Sequence, residues 1–264
     1  MKASAFAAVV VVMALAACAT PGASPSVGRV ELTIYGAASL SRVLADAETA
    51  YQAAHPGVTI TIATDSSAAL RTQIEQGAPA DVFLSADTSN PQALADAELT
   101  KGGLVAFAGN RLTIVVPSGN PAGIKTPADL ARAGLRIVAA GDAVPITKYA
   151  TQVVANLAKL TGYPAGFAAS YAANVVSRED NVKAVVAKIE IGEGDAGIVY
   201  VTDAAGSSKV ATVPIPDAAN VGATYAGVVL RSSSHLTQAQ AFLDWLAGPG
   251  GQAIMAAHGF IPRP

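Results

Sequence analysis

Short β-rich apolar runs alternate along the chain with stretches whose apolar positions recur at helical spacing. Residues 30–35 form a run of the first kind, and Gly36-Ala37-Ala38-Ser39 leads from it into a predicted helix over 40–54. There Leu40, Val43, Leu44, Ala47 and Tyr51 share one face. His55-Pro56-Gly57 stops that helix. A strand over 58–63, a turn at Asp65-Ser66-Ser67, a helix over 68–76 ended by Gly77 and a strand over 81–85 follow. The pattern predicts further strands over 111–117, 135–140, 196–201 and 225–230, and helices over 145–160, 182–190, 239–246 and 252–257. Such a rhythm implies right-handed crossovers and an α/β architecture, a parallel sheet covered by helices on both faces.

The turns share one chemistry: a strand ends, small hydroxyl or glycine residues follow, and a helix begins. A helix N-terminus presents unpaired N–H groups and the positive end of the helix dipole, which suits an anion. Ser39 and Ser67 sit at two such positions. Taken singly, each reads as an ordinary helix cap. The string Gly192-Glu193-Gly194-Asp195-Ala196-Gly197 matches the spacing of a dinucleotide loop, but it follows a helix and precedes a strand, the reverse of what pyrophosphate binding needs. It reads as a helix stop and turn. Glu179 and Asp180 read as dipole partners at a helix start, His258 as a residue capping a terminal helix, and Trp245 as packing. No nucleophile elbow, Walker loop or HExxH string occurs in the sequence.

Composition narrows the field. Of the 264 residues, 52% are apolar and only 14% charged, which excludes a disordered chain. Seventeen Lys and Arg against 19 Asp and Glu leave a net charge of −2, so the basic stripe of a nucleic-acid binder is missing. Cys18 is the single cysteine, which excludes a disulfide framework, and three scattered histidines argue against a His-rich metal cluster.

Cys18 also carries the information about location. A basic start at Lys2, an apolar run over 6–17 too short to span a bilayer, and Leu15-Ala16-Ala17 before the cysteine read as a signal peptide over 1–17. The stretch resembles the lipobox of bacterial lipoproteins, which implies that Cys18 is lipidated and becomes the mature N-terminus. An ordinary secretory signal, with Cys18 incidental, is the alternative. Residues 18–28 then form a lipidated, flexible tether.

Several segments together resemble the ModA family of molybdate-binding proteins. They are Gly36-Ala37-Ala38-Ser39-Leu40, the stretch from Ser66-Ser67-Ala68-Ala69-Leu70 to Asp81-Val82-Phe83, Gly141-Asp142-Ala143-Val144-Pro145, and Glu179-Asp180-Asn181-Val182-Lys183-Ala184-Val185 running into Ala196-Gly197-Ile198-Val199-Tyr200. Phe242-Leu243-Asp244-Trp245-Leu246 and Gly259-Phe260 complete the match, which runs from Val30 to the C-terminus.

The resemblance implies the solute receptor of an ABC-type molybdate importer, with a two-lobed, type II periplasmic-binding-protein fold. Each lobe would be a sheet flanked by helices. Residues 29–112 with 228–264 would make lobe one and 113–227 lobe two, joined by crossover strands near 112–116 and 225–229. It implies an oxyanion site built from Ser39, Ser67, Ile146, Val182 and Tyr200 that takes molybdate or tungstate, with molybdenum held only as bound molybdate and no cofactor. Ile146 stands where the family usually has Ala, and Thr147 and Lys148 also depart from its pattern; Lys148 could reach the anion. The implied partners are the oxyanion, an ABC permease with its ATPase, and a membrane through the N-terminal lipid. The implied protein is an extracytoplasmic monomer, with neither an enzymatic activity nor a nucleic-acid partner. A receptor for sulfate, thiosulfate or another oxyanion is the nearest alternative, and a secreted serine hydrolase or a purely structural lipoprotein the more distant ones.

Overall fold

The computed structural model describes residues 29–262. Cys18 and the expected leader and tether lie outside them. From the N-terminus, β1 (Val30–Ala37), a 3-10 turn (Ala38–Leu40) and α1 (Ser41–Ala54) come first. Then follow β2 (Val58–Asp65), α2 (Ser67–Glu75), β3 (Val82–Ser85), α3 (Ser89–Asp96) and the long β4 (Thr100–Asn110). Helix α1 forms where the spacing placed it, because Val43, Leu44, Ala47 and Tyr51 all turn inward and are buried.

The middle of the chain builds a second set of elements. These are β5 (Leu112–Pro117), a 3-10 turn (Pro127–Ala131), β6 (Ile137–Ala140), α4 (Pro145–Leu157), α5 (Phe167–Ala173), β7 (Val175–Glu179), α6 (Val182–Glu190), β8 (Gly197–Tyr200), α7 (Val201–Ala205) and β9 (Val210–Val213). The chain then returns as β10 (Ala223–Leu230) and closes with α8 (Leu236–Ala247) and α9 (Pro249–Ala257). Among the described residues, no helix is long and apolar enough to cross a membrane.

Two sheets result, with the same internal order. The first runs β2-β1-β3-β10-β4. Its first three strands are parallel, in register Val30↔Val58 and Ile34↔Val82, whereas β10 lies antiparallel to both β3 and β4. In the second, β5 pairs antiparallel with β8 and β9, β6 pairs parallel with β7, and a bridge between Ile137 and Ala196 brings β6 against β8. The sheets are therefore mixed rather than parallel. Strand β10 enters the first sheet, and β5 the second, opposite in direction to its neighbours, which an antiparallel pairing accepts without a crossover.

The late strand pairs in the first sheet from Ala223 onward, so residues 223–227, expected in lobe two, belong to the first sheet. Strand β5 pairs only within the second sheet, and the chain changes sheet at Asn110–Leu112 rather than along a strand shared by both. Asn220 ties the two crossing segments. Its Oδ1 accepts from the Leu112 N–H at 3.1 Å and its Nδ2 donates to the Leu112 carbonyl at 2.8 Å.

Helices cover both faces of the first sheet, and one apolar core runs from Leu32 and Ile34 through Phe107 and Tyr225 to Val185 and Val199 of the second. A smaller core under α2 and α3 holds Leu70, Ile74, Phe83, Leu94 and Val228. Glu179 ends β7 instead of starting a helix, and Lys188 Nζ pairs with it at 2.9 Å. His258 does end α9, where its Nε2 meets Asp46 Oδ2 at 2.7 Å.

Candidate functional site

Four turns and one strand end converge where the two sheets meet. The 3-10 turn after β1 buries Ser39 to 8% exposure. The second turn opens α2. There Asp65 Oδ1 accepts from the Ser66 N–H at 2.7 Å, and Ser66 Oγ accepts from the Ala69 N–H at 3.2 Å. The helix cap is thus Ser66, and Ser67 is the first residue of the helix proper. Ser67 Oγ accepts from the Ala86 N–H at 3.0 Å, which leaves its own proton free to donate.

The other two turns belong to the second sheet. Pro145 opens α4 and has no N–H, so Ile146 offers the leading backbone donor of that helix. At α6 the Asn181 side chain caps the helix by accepting from the Ala184 N–H at 3.1 Å. Val182 follows it, with an N–H that has no preceding carbonyl of its helix to pair with. Tyr200 closes β8, and its side chain is almost fully buried.

Ser39, Ser67, Ile146, Val182 and Tyr200, the five residues singled out by the resemblance, line one cavity. No charged side chain lines it. The N-termini of α2, α4 and α6 supply N–H groups and positive dipole ends instead. The Tyr200 hydroxyl is shut off from solvent and makes no hydrogen bond among the described residues. Burial pushes its pKa far above the ordinary tyrosine value, and nearby Tyr225, Tyr149, Asp203 and Asp87 push the same way. It therefore stays protonated, a donor without an acceptor. An orphaned buried donor costs about 1–3 kcal/mol, and a bound acceptor would offset that cost.

The enclosed space is about 10 Å³, close to the minimum that holds a single water. A tetrahedral oxyanion enters only as the walls part. Larger hollows include one of about 630 Å³ beside Glu31 and Asp81, one of about 460 Å³ beside Arg132 and Arg136, one of about 240 Å³ behind α4, mostly apolar, and one of about 160 Å³ beside Arg42, Lys183 and Asp203 that also touches Ser39. Each of these is lined by at least one charged side chain. No group of three or more His, Cys, Asp or Glu among the described residues could hold a metal ion.

The residues that depart from the family pattern have other partners. Thr147 Oγ1 donates to the carbonyls of Ala140 and Gly141, at 3.0 and 2.8 Å. Lys148 Nζ donates to Ser89 Oγ at 3.1 Å, reaching from α4 across to α3. Three neighbours of the site were not legible in the sequence. Asp65 and Asn181 meet at its rim, and Tyr225 lies behind Ser39 with its hydroxyl 3.0 Å from Ser39 Oγ. Asp65 and Asn181 are 116 positions apart and Tyr225 and Ser39 are 186 apart, so local patterning carries no signal for either contact.

Comparison with known proteins agrees with this architecture. The bacterial extracellular solute-binding protein family matches residues 32–261. The molybdate-binding protein ModA of Mycobacterium tuberculosis strain H37Rv is 36% identical over 243 residues, 92% of this chain and 88% of that protein. The substrate-binding domain of a putative molybdenum ABC transporter from Clostridium difficile superposes with a TM-score of 0.67 at 27% identity, covering 89% of this chain and all of that one. The sulfate-binding protein SubI of M. tuberculosis superposes with a TM-score of 0.78 at 22% identity, over 88% of this chain and 87% of its own, a likeness that speaks to the fold alone.

Proposed function

The chain belongs to the bacterial extracellular solute-binding protein family, and on that premise we propose that it captures molybdate between its two sheets and delivers it to an ABC-type importer. The observation that carries this reading is the uncharged cavity ringed by hydroxyls and helix N-termini, with the buried Tyr200 hydroxyl lacking an acceptor. A dianion there is compensated by fixed dipoles, each aimed at one oxygen. Ser39, Ser67 and Tyr200 would donate through hydroxyls, and Ile146 and Val182 through backbone N–H groups. A ring made only of donors accepts fully deprotonated oxygens; hydrogen phosphate would set one donor against another, which is costly in a buried site. Sulfate would be rejected by its smaller size. Tungstate shares the size and charge of molybdate and should bind as well.

Binding and release would follow hinge motion of the two sheets, since donors come from both and the closed space is too tight for free entry. The same reading includes a signal peptide over 1–17, lipid on Cys18, a monomeric extracytoplasmic body tethered to a membrane, and a carrier role without catalysis. Titration calorimetry on the purified protein tests it. Molybdate and tungstate should saturate a single site, with sulfate and phosphate far weaker. At a hundredfold excess over Kd, molybdate should add about 2.7 kcal/mol of stability. Absence of saturable heat with both molybdate and tungstate would overturn the assignment.

A further inference from the structure

Behind Ser39 runs a buried chain of polar groups whose direction can be read from its fixed end. Asn110, at the end of β4, is 1% exposed. Its Oδ1 accepts from the Arg111 N–H at 2.9 Å. Because an N–H can only donate, that contact identifies the oxygen end of the amide. The Nδ2 end then carries two hydrogens and meets two acceptors, Thr202 Oγ1 at 2.8 Å and Tyr225 OH at 3.4 Å. Tyr225 is fully buried, and its oxygen accepts from Asn110. That leaves Tyr225 its own proton to give, and Ser39 Oγ lies 3.0 Å away in a pair where either hydroxyl can donate. Burial holds the Tyr225 pKa far above its ordinary value, so that proton is always present. Ser39 Oγ, once it accepts from Tyr225, keeps one proton to donate away from Tyr225, and Ser39 lines both the oxyanion cavity and the hollow beside Arg42 and Asp203.

We infer that Tyr225 is a positioning residue for oxyanion capture, setting the Ser39 hydroxyl as a donor toward the cavity by occupying its acceptor side. The inference rests on the oxyanion reading above. A free serine hydroxyl can turn either way and accept as readily as donate. With Tyr225 behind it, Ser39 presents one polarity. The chain is complete only when both sheets are packed together, because Thr202 comes from α7 of the second and Asn110, Tyr225 and Ser39 from the first.

A double-mutant cycle on molybdate affinity tests this, using purified wild type, Ser39→Ala, Tyr225→Phe and the double variant, with the melting temperature of each unliganded protein measured alongside. Tyr225→Phe should weaken molybdate binding about tenfold when Ser39 is present. In the Ser39→Ala background the same change should matter less than about twofold. A merely structural role for Tyr225 predicts equal losses in both backgrounds, and that result would overturn the inference. Should Tyr225→Phe not fold, Asn110→Ala enters the same cycle, because without its donor Tyr225 can turn and accept from Ser39. Wild type that binds none of molybdate, tungstate, sulfate and phosphate overturns the oxyanion reading itself. Wild type that binds while the two losses add overturns the role of Tyr225 alone.

Discussion

The Asn181 side chain donates to Asp65 Oδ1 at 3.2 Å, joining the start of α6 in the second sheet to the turn that opens α2 in the first. Each partner also serves its own helix start. Asn181 accepts from the Ala184 N–H, and Asp65 accepts from the Ser66 N–H. One contact thus connects the backbone that presents Val182 with the backbone that presents Ser67, on opposite walls of the cavity.

Two substitutions separate those duties. Asn181→Ala should lose both the cap and the bridge, lowering stability by about 1 kcal/mol and weakening molybdate binding about tenfold. Asn181→Ser restores a cap without the reach to Asp65. It should recover the melting temperature and not the affinity. Recovery of both by serine would show that the cap alone matters.

Tyr200→Phe should move stability and binding in opposite directions. Removing a buried hydroxyl without a partner should stabilise the unliganded protein by about 1 kcal/mol. The same change should weaken oxyanion binding about tenfold or more, because a donor is lost where the ligand would meet it. Thermal melts with and without molybdate read both effects. A less stable apoprotein with unchanged affinity would contradict the site as drawn.

Asp203 predicts a pH signature. Burial pushes its carboxyl up to about 7, against the pull of Lys183 and Arg42. The unfolded chain titrates near the ordinary aspartate value of about 4. Between these limits the folded protein keeps a proton that the unfolded chain has lost, so stability falls as pH rises through that window and the loss is complete above it. Asp203→Asn removes the effect. Its advantage in stability over wild type should widen from about pH 4 to pH 7 and then level off. A gap independent of pH would exclude this account.

Gly197 answers to packing. A Cβ there would lie 2.9 Å from both the Val138 carbonyl oxygen and Val185 Cγ1, where β6 comes against β8. Gly197→Ala should cost about 1–3 kcal/mol in urea unfolding. Gly119→Ala, with nothing within 4 Å of the new methyl group, should stay within about 0.5 kcal/mol of wild type. The glycine string at 192–197 is thereby explained without a nucleotide: Gly192 ends α6 with φ +78°, and Gly197 permits a close approach between strands.

Elements with strong local signals were legible from the chain alone. Helix α6 runs over 182–190 as its spacing predicts, because Asn181 caps it and Val182, Val185, Val186 and Ile189 bury one stripe. The first three strands of the first sheet and α1 and α2 follow for the same reason, within a residue or two at their ends. The five site residues came from motif resemblance, since a serine after a strand is by itself an ordinary cap.

The tertiary structure decided what depends on where the chain returns. Strand β4 carries Gly102, Gly103 and Gly109 with little β-branching, a poor strand by propensity, and its partner β10 arrives more than a hundred positions later. The direction of that return makes the first sheet mixed and delivers Tyr225 to Ser39, while the packing of α7 against the end of β4 brings Thr202 to Asn110. Hydrophobic period reports which face of an element is buried, because burial acts on each residue against the whole interior. A hydrogen bond also needs distance and direction between two particular atoms, and only packing supplies these. The chain by itself thus determined the donors that its turns offer, and the way the two sheets meet decided which of them face one cavity and which hydroxyl lacks an acceptor.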